Sequence, residues 1–86
     1  MTGRLTAAQL RELQRVRDTG HSKTKAGFNN RKAGLTEWTW RLRNGDLIGN
    51  SEVSQDGWYD QMQGAKCVGE QLTAAGRATL KQKESH

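Results

Sequence analysis

The side chains in this 86-residue chain that are best suited to chemistry are its cations. Residues 1–45 carry ten basic side chains (Arg4, Arg11, Arg15, Arg17, Lys23, Lys25, Arg31, Lys32, Arg41 and Arg43) against three acidic ones, Glu12, Asp18 and Glu37, a local balance of +7. Residues 46–86 reverse the sign: Lys66, Arg77, Lys81 and Lys83 face Asp46, Glu52, Asp56, Asp60, Glu70 and Glu84, a balance of −2 within the overall +5. A polyanion meeting the first half would release counterions from its phosphates, the usual source of sequence-independent affinity for nucleic acid. A solvated basic surface has the same composition, so spacing must separate the two.

Other chemistries find less support. The acidic residues are scattered, no Ser, His and Asp set has helpful spacing, and no glycine-rich phosphate loop with its lysine is present. Catalysis is therefore not expected. Cys67 is the single cysteine and His21 and His86 the only histidines, so neither an intrachain disulfide nor a metal site is expected, and no cofactor. Cys67, beside Val68 in a strand-like run, reads as a small buried hydrophobe, and His21 as a loop residue. The chain lacks an apolar run near eighteen residues, and Met1-Thr2-Gly3-Arg4 lacks the apolar stretch of a signal peptide. No membrane association and a reducing cytoplasm are the expectations.

The cations must be held by a small core. Apolar residues make up 33% of the chain and three tryptophans supply much of their area, which predicts one domain over 1–80 with a tryptophan-centred core. Thr6 followed by Gln9 is a capping box, and Leu5 can staple onto Leu10. Ala7, Leu10, Leu13 and Val16 then recur every third residue, predicting a helix to about Asp18 that stops before Gly20. A short second helix over 25–32 has Phe28 as its expected core anchor. Ala33-Gly34-Leu35-Thr36 reads as a turn into a third helix over 35–44, with Thr36 as N-cap, Leu35, Trp38 and Leu42 on one face, and Asn44-Gly45 as its end. Trp38 is assigned to the core, and Trp40, off that stripe, to packing or an interface.

From Leu47 the turn signals Gly49-Asn50, Asp56-Gly57 and Gly64 separate runs holding Val53, Trp58, Tyr59, Cys67 and Val68, predicting a twisted hairpin within 47–72 that turns at Asp56-Gly57. Trp58 is read as packing on that hairpin. Leu72-Thr73-Ala74-Ala75-Gly76-Arg77-Ala78-Thr79-Leu80 predicts a closing helix capped by Thr73, with 81–86 a frayed tail. The fold class is α+β, mostly helical with a small hairpin.

Three pieces of sequence resemble the winged helix-turn-helix superfamily. Leu5-Thr6-Ala7-Ala8-Gln9 resembles the opening of many such domains. Trp40-Arg41-Leu42-Arg43-Asn44-Gly45-Asp46-Leu47-Ile48 is similar to the end of a recognition helix entering the first wing strand, and Leu72 to Leu80 is similar to their closing Leu-Thr-x-x-Gly-Arg-x-x-Leu. The chain departs from the pattern in placing Asp46 where a glycine usually precedes the Leu-Ile pair, and in its polar, glycine-containing second helix.

The resemblance implies three helices, a β-wing over 47–72 and a short C-terminal helix, with helix 35–44 in a DNA major groove. Thr36, Trp40, Arg41, Arg43 and Asn44 are then the base-contact candidates, Arg43 and Asn44 foremost because arginine pairs with guanine and asparagine with adenine. Lys23, Lys25, Arg31 and Lys32 are the phosphate-contact candidates. The implied function is sequence-specific binding of double-stranded DNA by a small transcriptional regulator of the size found in phages and mobile elements, as a weak homodimer. The alternative is a protein-binding module, an inhibitor or adaptor that presents Trp40, Trp58 and Tyr59 to a host protein.

Overall fold

The capping box at Thr6 forms as its spacing predicts. In the computed structural model, which describes residues 5–84, Thr6 Oγ1 accepts from the Gln9 amide at 3.0 Å while Gln9 Oε1 accepts from the Thr6 amide at 3.1 Å. Helix α1 runs Ala7–Thr19 and ends at Gly20, whose left-handed backbone (φ 77°) lets its amide reach the Val16 carbonyl. Leu13 and Val16 are buried and Leu10 half-buried, so the apolar stripe faces inward, while Ala7 at its start is exposed.

Helix α2 spans Lys25–Lys32, capped by Thr24 Oγ1 on the Gly27 amide at 3.1 Å. Phe28 is not its anchor: 53% of the residue is exposed. The inward side carries Gly27 and fully buried Asn30, whose Nδ2 donates to the Gln9 carbonyl at 3.0 Å and whose Oδ1 accepts from Gln9 Nε2 at 3.3 Å. Two residues of helix rotate Phe28 by roughly 200° from Asn30, which puts the ring outside.

The expected helix over 35–44 is a strand and a turn. Strand β1, Thr36–Arg41, reads Thr-Glu-Trp-Thr-Trp-Arg, an alternation of β-branched and aromatic residues with polar ones that suits a pleated strand. The helical spacing of Leu35, Trp38 and Leu42 is overridden because β1 is the central strand, paired antiparallel on both edges in the order β2-β1-β3. Asn44-Gly45, expected to end a helix, turns β1 into β2 (Leu47–Gly49): Gly45 takes φ 96° and Asn44 Oδ1 accepts from the Asp46 amide at 2.9 Å.

The strands of segment 47–72 do not pair with each other. β2 pairs with Thr39–Arg41 along one edge of β1, and β3 (Lys66–Leu72) pairs along the other, from Thr36↔Leu72 to Arg41↔Lys66. Between them run a 3₁₀ turn over Asn50–Glu52 and the one-turn helix α3, Trp58–Gln61. Gly57, expected in a hairpin turn, leads into α3 with φ 76°. Register shifts between Thr39↔Gly69 and Trp40↔Cys67, leaving Val68 as a bulge. Gly69 belongs there, since its φ is 154° and a Cβ would run into the Gly20 carbonyl.

Helix α4 spans Ala74–Glu84, with Thr73 Oγ1 accepting from the Gly76 amide at 3.0 Å. Residues 81–84 are helical, because Glu84 is tied to α1: Arg17 Nη1 reaches both carboxylate oxygens at 2.9 Å. Residues 85 and 86 of the expected frayed tail lie outside the described residues.

Leu13, Val16, Leu72 and Leu80 form the core where α1, β3 and α4 meet, with Leu5, Leu10 and Leu35 packed against it. It is a leucine and valine core, not a tryptophan-centred one. Trp38 on β1 pairs across the sheet with Glu70 of β3 and stays 40% exposed, while Trp58 on α3 is more exposed still. Cys67 is also exposed, because it sits beyond the bulge on the edge strand β3, past the part of the sheet that packs on the core. Among the described residues the class is therefore α+β, four helices and a three-stranded antiparallel sheet, and no helix is long and apolar enough to cross a membrane.

Candidate nucleic-acid interface

The fold takes up several of its carboxylates internally. Glu12 on α1 is buried, accepting from Ser22 Oγ at 2.7 Å and Arg15 Nε at 3.1 Å. The Ser22 hydrogen bond is the main reason its carboxyl titrates below the usual range, with Arg15 adding to it against the opposing effect of burial. Burial pushes the Glu37 carboxyl up, but bonds from Gln71 Nε2 (3.0 Å) and the Ser51 amide (2.7 Å), with the charge of Arg77, hold it lower than an ordinary glutamate. Glu70 is buried and accepts from Arg31 Nη1 at 2.9 Å and the Thr36 hydroxyl at 2.8 Å.

That last arrangement removes two residues from the expected contact set. Arg31, assigned to phosphates, is half-buried and committed to Glu70. Thr36, assigned to bases, is 3% exposed and spends its hydroxyl on the same carboxylate. Trp40 is half-buried with its indole N–H donated to Asn50 Oδ1 at 3.2 Å. Arg41, Arg43 and Asn44 are exposed, but on the end of a strand and its turn and not on a helix. Lys23, Lys25 and Lys32 are exposed on and beside α2, and none forms an ion pair among the described residues.

Two groupings result. At the β1–β2 turn, Arg41 stands directly across from Lys66 of β3, and the stem of Arg43 runs alongside Gly64. Like charges directly opposite each other in a sheet repel, and no ion pair relieves these three cations among the described residues. Lys66 is absent from the sequence-derived set, since only the register of β3 on β1 brings it to Arg41.

The second grouping surrounds Trp38. The Arg31 guanidinium carbon lies 4.3 Å from the Trp38 ring centroid and 5.8 Å from that of Phe28. Phe28, Arg31, Lys32, Glu37, Trp38 and Asn50 line an open groove of about 440 Å³ between α2 and β1. On the other side of Trp38 a smaller hollow is lined by His21, Ser22, Lys23 and Gly69. Helical spacing placed Trp38 in the core, so sequence reasoning did not find this platform. No group of three His, Cys, Asp or Glu side chains among the described residues could hold a metal ion.

No protein-family model, no curated protein and no solved structure matches this chain.

Proposed function

We propose that the chain binds double-stranded DNA through two clusters of exposed cations, Arg41, Arg43 and Lys66 at the end of the sheet and Lys23, Lys25 and Lys32 around α2. The observation that carries this reading is the Arg41↔Lys66 pair, in which two like charges are held opposite each other with Arg43 in the adjoining turn. Such a cluster costs stability in the isolated protein and is relieved by a polyanion. Glu12 and Glu70 support it, because each is ion-paired within the fold, with Arg15 and Arg31, and not with the cations of the two clusters.

What this reading keeps of a winged arrangement is different from the sequence-level expectation. The β1–β2 turn takes the place of the larger wing, with Arg43 and Asn44 at its tip. Six exposed cations would make binding fall steeply with salt. Anisotropy of labelled duplex DNA, titrated at low and moderate salt with the wild type and the Arg41→Ala/Arg43→Ala variant, tests it. Strong salt dependence and loss of affinity in the variant are expected, and unchanged affinity in the variant would remove the assignment.

One observation favours a protein-binding reading. Trp58 and Tyr59 are 56% and 63% exposed and meet edge to face at 5.9 Å on α3, between Asp56 and Asp60. Amphipathic aromatics of this kind are common anchors in protein interfaces. Capture of a protein partner that is insensitive to salt and lost in Trp58→Ala, with no duplex binding, would favour it over the DNA reading.

A further inference from the structure

The Phe28–Arg31–Trp38 group lies outside the two cation clusters and presents exposed ring surface instead of free charge. Phe28 and Trp38 leave large parts of their rings in solvent, although burying them would stabilise the fold. Between them Arg31 is fixed: Nη1 is bound to Glu70, Glu70 is closed off by the Thr36 hydroxyl, and the guanidinium carbon is 4.3 Å from the Trp38 centroid. The three groups form a rigid platform of two rings and a planar cation.

The charges beside this platform are arranged on both sides of Trp38. Lys32 lines the groove on the Phe28 side and Lys23 the hollow on the His21 side. Of the two acids that line these pockets, Glu70 is balanced by Arg31, and Glu37 keeps its charge while accepting from the Ser51 amide and Gln71. A single strand crossing Trp38 could stack bases on the exposed parts of the Phe28 and Trp38 rings while its phosphates meet a lysine on either side. A duplex cannot use the rings in this way, because its bases are already stacked on each other.

We infer that this face is a stacking site for unpaired bases of single-stranded DNA. The inference rests on the DNA-binding reading and shares Lys23 and Lys32 with its α2 cluster, but its stacking rings, Phe28 and Trp38, belong to neither cation cluster. Arg31 holds Trp38 in place by stacking on it, with its charge balanced by Glu70.

The test is anisotropy of a labelled oligothymidylate and, separately, a labelled duplex, with the wild type, Phe28→Ala, Phe28→Tyr and Trp38→Leu. Phe28 is exposed, so its replacement leaves the core intact. Phe28→Ala and Trp38→Leu should each weaken oligothymidylate binding about tenfold, the order of one base–aromatic stack, with duplex binding unchanged and Phe28→Tyr close to wild type. Oligothymidylate binding that survives Phe28→Ala, or a wild type that binds duplex but not oligothymidylate, overturns the stacking site and leaves the DNA reading standing. A wild type that binds neither probe at low salt overturns both.

Discussion

Arg31 and Glu70, thirty-nine residues apart, meet at 2.9 Å with the carboxylate buried and the guanidinium stacked on Trp38. This pair joins α2 to β3 across the end of β1 and so fixes the helix against the sheet. Removing one member of such a pair leaves the other buried and uncompensated. Arg31→Ala should therefore cost about 3 kcal/mol, read by urea unfolding. Loss of less than about 0.5 kcal/mol, the range of an ordinary surface change, would show that the pair does not hold the helix.

The Arg41↔Lys66 pairing makes a prediction of opposite sign. Lys66→Glu replaces a repulsive cross-strand pair with an attractive one and should raise stability by roughly 0.5 kcal/mol while weakening duplex binding. Thermal unfolding and anisotropy on the same variant check the two halves. A variant that is destabilised and binds as before would contradict both.

Glu12 gives the fold an acid-sensitive joint. Its carboxyl titrates below the usual range because the Ser22 hydroxyl, with Arg15, bonds the charged form. A depressed native pKa contributes stability that is complete above the unfolded value, about 4.3, and is lost as the pH falls through the native one. Wild-type stability should thus fall on acidification below about pH 4.3, and Ser22→Ala should make that fall shallower while lowering stability near neutrality. Urea midpoints measured across this range would show it, and parallel curves for the two proteins would count against it.

Core and contact predictions follow from Leu13 and Gly76. Leu13 is fully buried at the centre of the leucine cluster, so Leu13→Ala should cost about 2–5 kcal/mol, enough to unfold much of a domain this small. Gly76 lets α4 lie against the Leu35 carbonyl, where a Cβ would collide with backbone. Gly76→Ala, which in an exposed helix would gain stability, should lower the unfolding midpoint here. A raised midpoint would mean that α4 does not approach Leu35 this closely.

The parts legible in the sequence were those governed by local chemistry. The Thr6/Gln9 box, Gly20, and Thr73 beside its helix each satisfy backbone groups within a few residues, and they mark α1 and α4 correctly. Residues 36–41 read as helix in the sequence because Leu35, Trp38 and Leu42 fit a helical face, while the pairing that makes this segment a strand comes from β3, some thirty residues later. For the same reason neither the Glu70 partner of Thr36 nor the place of Lys66 across from Arg41 is visible in the sequence. Phe28 looks buriable in the sequence because aromatic residues usually are, but Asn30 has the inward place on α2 through its bonds to Gln9.

The most direct test of the DNA reading is the salt dependence of duplex binding by the wild type and by Arg41→Ala/Arg43→Ala. Anisotropy of a labelled duplex should show wild-type affinity falling steeply between low and moderate salt, and the variant should bind more weakly with a log–log salt slope smaller by about two. Absence of binding at low salt, or a variant with the wild-type affinity and slope, would contradict the account.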